Sequence, residues 1–220
     1  MTRKSADGIV TTRRKRREPP EPKVRVFAAL PLDDATRSAI DAAIEEPRAR
    51  LGAFNWVERG NWHITLKYFG DVPRGAIPAL RTALTQSVSG ATFSCAVRGM
   101  GGFPNLREPK VLWVGVKSLD GRLAALQRAI NDGCQKLGYE LDMRRFAPHI
   151  TVARARAEHA HPVAREITPV MDAAIAEATF EEVILFESYR VESNADARGT
   201  RERMMRYQPI HRVRLTPKES

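Results

Sequence analysis

His63 and Thr65 stand two positions apart, and so do His149 and Thr151, each pair enclosing an isoleucine. The stretches are "WHITLKYFG" (Trp62–Gly70) and "PHITVARAR" (Pro148–Arg156), and the triplets lie 86 positions apart (149 − 63). Imidazole takes or gives a proton near neutral pH. A threonine hydroxyl is a short, stiff hydrogen-bond donor. Both stretches alternate as strands do, so residues i and i+2 project to one side. His63 and Thr65 therefore point together, with Lys67 beyond them, and His149 points with Thr151. Trp62, Ile64, Leu66 and Tyr68 are expected on the opposite face, in the core. A lone histidine in a strand is most often structural. Two matched copies facing one another across a cleft would hold two imidazoles and two hydroxyls around one point.

Phosphodiester cleavage uses such a set. One imidazole takes the proton of the attacking oxygen, and the other protonates the leaving oxygen. The hydroxyls donate to the non-bridging oxygens, where negative charge shifts in the transition state. The two rings then need opposite protonation states. Metal catalysis competes for the same histidines but needs three or so protein ligands. His159 and His161, in "HAH", have no third ligand in their neighbourhood, and no metal or other cofactor is expected. Neither cysteine has a histidine beside it, and no serine sits in a GxSxG turn. The glycines of "GMGGFPNLR" lack the P-loop Lys-Ser/Thr and the GxGxxG pattern, so this stretch reads as a loop.

Something must position the triplets. The chain has 220 residues, 43% of them hydrophobic, enough for one large domain or two small lobes. No apolar run approaches the length of a membrane span, so no membrane role is expected. The two cysteines, Cys95 and Cys134, lie among apolar neighbours without metal spacing and read as core residues of a cytoplasmic protein. The net charge is +10, which favours polyanions such as nucleic acid. Half of that charge lies in Met1–Lys23, where eight Lys or Arg meet three Asp or Glu. Residues 1–22, nearly devoid of apolar side chains and ending in "EPPEP", are expected to be a disordered basic tail. A twin-arginine export signal would need an apolar stretch there instead.

Structure is expected from "VRVFAAL" onward. Asp33 or Asp34 caps a helix with Ile40, Ala43 and Ile44 on one face, and Pro47 ends or breaks it. The first triplet strand comes next, then a helix from about Pro73, then strands at "TFSCAVRGM" and "VLWVGV". A helix capped by Ser118 carries Leu119, Leu123, Leu126, Ile130 and Leu137, with Gly138 as its stop. The second triplet strand, a weak helix over Val163–Ala178, and the strands "EEVILFESYRV" and "YQPIHRVRL" complete the order. Each triplet strand follows one helix and precedes another, which suggests a duplicated unit with two related lobes.

On these residues the chain resembles the 2H phosphoesterase superfamily and, more narrowly, the RNA 2′,3′-cyclic phosphodiesterases, historically called 2′-5′ RNA ligases. The resemblance rests on "HITLKYFG" and "HITVARAR". It extends to "RVFAALPLDDATRSAI", "FPNLREPKVLWVGV", "RRFAPHITVAR" and the closing strands, over about Val24–Leu215. It implies an α+β fold over 23–216, bilobal with pseudo-twofold symmetry, in which antiparallel sheets line a central cleft and helices pack outside. It implies metal-free opening of an RNA terminal 2′,3′-cyclic phosphate to a 2′-phosphate, with weak 2′-5′ ligation in reverse. By that resemblance His63 is the proton donor, His149 the proton acceptor, and Thr65 and Thr151 hold the phosphate; the residues alone do not assign acid and base. The family often has a basic residue at the position of Arg154. An unbroken strand would turn Arg154 away from His149, so it needs a bulge or the strand end to reach the cleft. Lys67, Phe103 and Arg107 are further candidates for contact with the RNA end, and "NADARGTRER" for its backbone. Two other readings stand beside this one: a 2H enzyme for small cyclic nucleotides or 2′-5′ oligonucleotides, and a non-catalytic RNA-binding module. A monomer is expected, since a cleft between lobes needs no partner.

Overall fold

The computed structural model describes residues 21–142, 145–156, 162–192 and 203–217. Residues 1–20 of the expected tail, His159 and His161, and nearly all of "NADARGTRER" lie outside the described residues. Among those described, the strands are β1 (Lys23–Pro31), β2 (Phe54–Trp56), β3 (His63–Pro73), β4 (Phe93–Phe103), β5 (Val111–Lys117), β6 (His149–Ala155), β7 (Ala174–Phe180), β8 (Glu182–Glu192) and β9 (Arg203–Arg214). The helices are α1 (Asp34–Ala43), α2 (Glu45–Arg50), α3 (Ile77–Ser87), α4 (Arg122–Gln135) and α5 (Ala164–Ile167).

All nine strands join one sheet in the order β7-β4-β5-β6-β3-β1-β8-β9, with β2 paired to β6. Every named pairing is antiparallel. The two lobes are thus halves of a single α+β sheet, and they meet where Ile64 pairs with Ile150. The order is symmetric about that seam. In each half the inner strand carries a triplet, and its outer neighbour is an earlier strand joined to it through helix: β1 precedes α1, α2, β2 and β3, and β5 precedes α4 and β6.

One face of the sheet is apolar and covered. Val26, Ala28 and Leu30 of β1, Leu112 and Val114 of β5, and Ile64 and Ile150 are fully buried there. The helices that cover it are exchanged between the halves. α1 leaves β1 yet packs against β7, and α4 leaves β5 yet packs against α3 and β3. Burying both helices therefore holds the halves together.

Local chemistry explains most boundaries. The Asp33 carboxylate accepts from the Thr36 amide at 2.6 Å, capping α1, and Ile44 separates α1 from the helix that contains Pro47. Pro47 sits in the first turn of α2, where a missing N–H costs no hydrogen bond. Two expectations fail. Ser118 does not cap α4: its hydroxyl binds Asp120 at 2.9 Å, and the helix starts at Arg122 after Gly121, whose φ of 75° is left-handed. Leu119 consequently falls outside the helix and is 83% exposed. The helix expected over Val163–Ala178 ends at Ile167, and Ala174–Phe180 is strand β7. Its alanines favour a helix, but the free edge of β4 supplies backbone partners that an isolated segment lacks.

Candidate active site

The seam places both triplets side by side. Continuing the Ile64–Ile150 register by one residue each way sets His63 across from Thr151 and Thr65 across from His149. Ile64 and Ile150 point into the core, so the histidines and threonines share the open face.

Each triplet is followed by a β-bulge at the same place. Ala28 pairs with Lys67 and Ala29 with Thr65, which leaves Leu66 unpaired. Leu112 pairs with Ala153 and Trp113 with Thr151, which leaves Val152 unpaired. A bulge inserts one residue and reverses the alternation beyond it. Arg154 therefore returns to the face of His149 and Thr151, opposite Val111, a strand neighbour on the face of Trp113. The electrostatics agree, because the Arg154 charge acts on both His63 and Tyr207.

The same device overturns two expectations in the first half. Lys67 does not share the face of His63. It is 5% exposed, and its Nζ donates to Asn131 Oδ1 of α4 at 2.6 Å and to the Glu140 carbonyl at 2.8 Å. Tyr68 is not a core residue but lies on the open face, 58% exposed. Trp62 is buried as expected, with its indole N–H on the Val57 carbonyl at 3.1 Å.

The two imidazoles are held alike. His63 Nδ1 lies 2.7 Å from the carbonyl of Asn61, and His149 Nδ1 lies 2.7 Å from that of Ala147. A carbonyl only accepts, so each Nδ1 carries hydrogen and each Nε2 is left for the open face. His63 Nε2 lies 3.1 Å from the Thr65 hydroxyl. Burial pushes the His63 pKa down to about 4, the Asn61 bond opposes this, and the charges of Arg154 and His149 lower it further. In the free protein His63 is neutral at pH 7.

Aromatic rings wall both histidines. Phe27 stacks on His63 with centroids 4.7 Å apart, and Tyr207 meets the same ring edge-on at 5.3 Å. Phe186 stacks on Phe27 with centroids 5.3 Å apart and also lies 6.3 Å from the His63 ring. Burial pushes the Tyr207 phenol up, and Arg154 pulls it part of the way back. In the second half Phe103 meets His149 edge-on at 5.0 Å, and Trp113 lies behind both. Gly101 pairs with Trp113, and a Cβ there would collide with the indole ring. Arg107 is exposed in the β4–β5 loop, where Asn105 Oδ1 accepts from its amide at 2.8 Å. Phe103 is thus brought to the histidines and Lys67 is not. Phe27, Trp113, Phe186 and Tyr207 were not among the sequence candidates. Each sits on a strand whose partner is known only once the sheet is assembled. The one local sign was Val152-Ala153, two consecutive apolar residues that break the alternation and mark the second bulge.

A seam strand from each half, repeating His-x-Thr and ending in a bulge, defines a two-histidine phosphoesterase architecture. The model of the 2′-5′ RNA ligase superfamily matches residues 36–192, and the chain belongs to that superfamily. It is 34% identical over 163 residues to an RNA 2′,3′-cyclic phosphodiesterase of Geobacillus stearothermophilus, a match that covers 74% of this chain and 51% of that one. The chain therefore spans about half the length of that relative. It is 33% identical over 135 residues to the protein of the same name from Methanothermobacter thermautotrophicus, covering 61% of this chain and 72% of that one. Crystal structures share the fold. TT0787 of Thermus thermophilus gives a TM-score of 0.68 at 22% identity, covering 89% of this chain and 100% of that one. E. coli LigT complexed with 3′-AMP gives 0.63 at 25% identity, covering 88% and 99%.

Proposed function

We propose that the protein hydrolyses the 2′,3′-cyclic phosphate at an RNA 3′ end to a 2′-phosphate, using two histidines and no metal or other cofactor. The observation that carries this reading is the seam register, which gathers two Nε2 atoms and two threonine hydroxyls on one face. The relatives named RNA 2′,3′-cyclic phosphodiesterase support the substrate. Water attacks phosphorus, His149 Nε2 takes its proton, the P–O3′ bond breaks, and His63 Nε2–H protonates O3′. Thr65 and Thr151 donate to the non-bridging oxygens, and Arg154 offsets their charge. Each positioned acid or base contributes on the order of 10²–10⁴-fold. An RNA 5′-hydroxyl in place of water gives the weak ligation. We place the enzyme in the cytoplasm, in keeping with its two unpaired, buried cysteines, and as a monomer, since one chain supplies both histidines.

One observation favours a second assignment of the same two groups. His63 is neutral in the free protein, which suits a base. As the acid it must gain its proton with the substrate, whose phosphate charge stabilises the imidazolium. An RNA ending in a 2′,3′-cyclic phosphate is incubated in excess EDTA, and the product is compared with 2′- and 3′-phosphate standards. Conversion to the 2′-phosphate is expected, with loss of at least 100-fold in both His63→Ala and His149→Ala. A requirement for a divalent ion, or near-full activity in each variant, overturns the proposal. A substrate with sulfur at the 3′ leaving position needs no acid, so it rescues only the variant that lacks the proton donor. Rescue of His63→Ala supports the first assignment, and rescue of His149→Ala reverses the roles.

A further inference from the structure

The open face does not end at the histidines. β1 presents Phe27, Arg25 and Lys23 to it in succession, since Val24 and Val26 are buried on the other side. The register aligns neighbours along this line. Arg25 pairs with Asp71 of β3 and with Ser188 of β8, and Phe27 pairs with Tyr68. Two residues further on, the same register sets Lys23 beside Arg190, which pairs with Met205 of β9. A groove of about 340 Å³ opens here, and Lys23, Arg25, Asp71, Ser188, Arg190 and Met205 line it. From Phe27 to Lys23 the line runs about 13 Å, four residues at strand rise, so it extends beyond one nucleotide.

The charges along the line are unequal. The Asp71 carboxylate holds Arg25 at 3.1 Å, and Glu187, which also borders the groove, is bonded to Arg74 at 3.1 Å. Among the described residues, Lys23 and Arg190 have no carboxylate partner, and both are exposed. Tyr68 offers an exposed ring between the histidines and these cations, close enough to Arg25 for its phenol to act on that guanidinium. A stacking ring followed by unpaired cations is what single-stranded nucleic acid meets in sequence-tolerant binding sites. The far end of the other half differs. There Lys117 and Arg98 share the open face with Glu177, which has no cationic partner among the described residues, while Arg122 holds Asp120 at 2.9 Å beside an opening lined by Ala174, Ile175 and Leu119. A phosphate chain is repelled by the Glu177 carboxylate and has little to stack on.

We propose that the RNA chain leading to the reacting end leaves the site along β1 and β8, over Tyr68 to Lys23 and Arg190, so that the preferred substrate is a polymer and not a mononucleotide. This rests on the proposed function for the identity of the reacting end. Lys23 and Arg190 meet backbone phosphates, and Tyr68 stacks on a base preceding the terminus.

The test compares the full chain with a Lys23→Glu/Arg190→Glu variant on two substrates: an RNA decamer ending in a 2′,3′-cyclic phosphate and a 2′,3′-cyclic mononucleotide. The wild type is expected to favour the decamer in kcat/KM. The variant is expected to lose at least tenfold in kcat/KM on the decamer, through KM, with its constants on the mononucleotide unchanged. Binding of a fluorescent decamer ending in a 2′-phosphate is measured in parallel against salt. Two lost phosphate contacts lower the slope of log K against log[salt] by about 1.4. Tyr68→Ala is expected to weaken the decamer several-fold with that slope unaltered. Equal loss on both substrates, no loss on the decamer, or an unchanged salt slope overturns the proposal. A wild type inert toward both substrates overturns the proposed reaction instead, and the binding titration then decides the track by itself.

Discussion

His63 is the residue whose environment has the sharpest consequence. Its folded pKa, about 4, lies below its ordinary 6.5 because burial disfavours the charged ring. Between those two values the unfolded chain binds a proton that the native state does not, so stability falls as pH falls from 6.5 to 4. Below pH 4 both states are protonated and the loss stops. At about 1.4 kcal/mol per pH unit, urea unfolding at pH 7 and pH 5 should differ by about 2 kcal/mol on account of this one side chain. His63→Asn is expected to remove that increment. Burial lowers the His211 pKa as well, so the difference between wild type and variant isolates His63. An equal pH dependence in both proteins would show that His63 is not held neutral.

The β-bulge is the element that decides which side chains serve the site. At Leu66 it sends the Lys67 ammonium to the covered side, where Asn131 Oδ1 also accepts from the Asp142 amide at 3.2 Å. Lys67 thus ties the strand of the first histidine to the segment leading to the second. Lys67→Met removes both bonds, leaving Asn131 Oδ1 with the Asp142 amide alone and the Glu140 carbonyl without its donor, at a cost of about 1–3 kcal/mol, to be read from the urea midpoint. KM for the cyclic phosphate should stay within about twofold, because this ammonium donates to Asn131 and Glu140 and not to a phosphate. A tenfold rise in KM with unchanged stability would restore the contact that simple alternation suggests.

At the scale of the molecule, the site exists only where the two halves meet. Ile64 and Ile150 are fully buried directly beneath the four proposed catalytic side chains. Ile150→Ala opens a cavity at the seam, and such truncations cost about 2–5 kcal/mol. The variant should remain folded by circular dichroism at 25 °C, since exchanged helices also join the halves. Its kcat is expected to fall more than tenfold, because small misplacements of the reacting groups are costly. A stable variant with full activity would mean that the seam does not set the spacing of the histidines.

Some of this was written locally. His63 and Thr65, and likewise His149 and Thr151, are two apart in strands, and a strand places such pairs on one side whatever surrounds it. That spacing, with flanks that resemble the family, was enough to propose the site and the reaction class, and the family model matches residues 36–192. Capping of α1 by Asp33 was equally local. Other features depended on partners far away in the chain. The bulges at Leu66 and Val152 arise from register with β1 and β5, and they alone moved Lys67 into the core and Tyr68 and Arg154 to the open face. β7 became a strand because β4 offered an edge. Phe27, Trp113 and Tyr207 reached the histidines through neighbours set by sheet order. Alternation is a property of one strand, whereas register is a property of two, so the chemistry was legible in the sequence and its surroundings were decided by the tertiary structure.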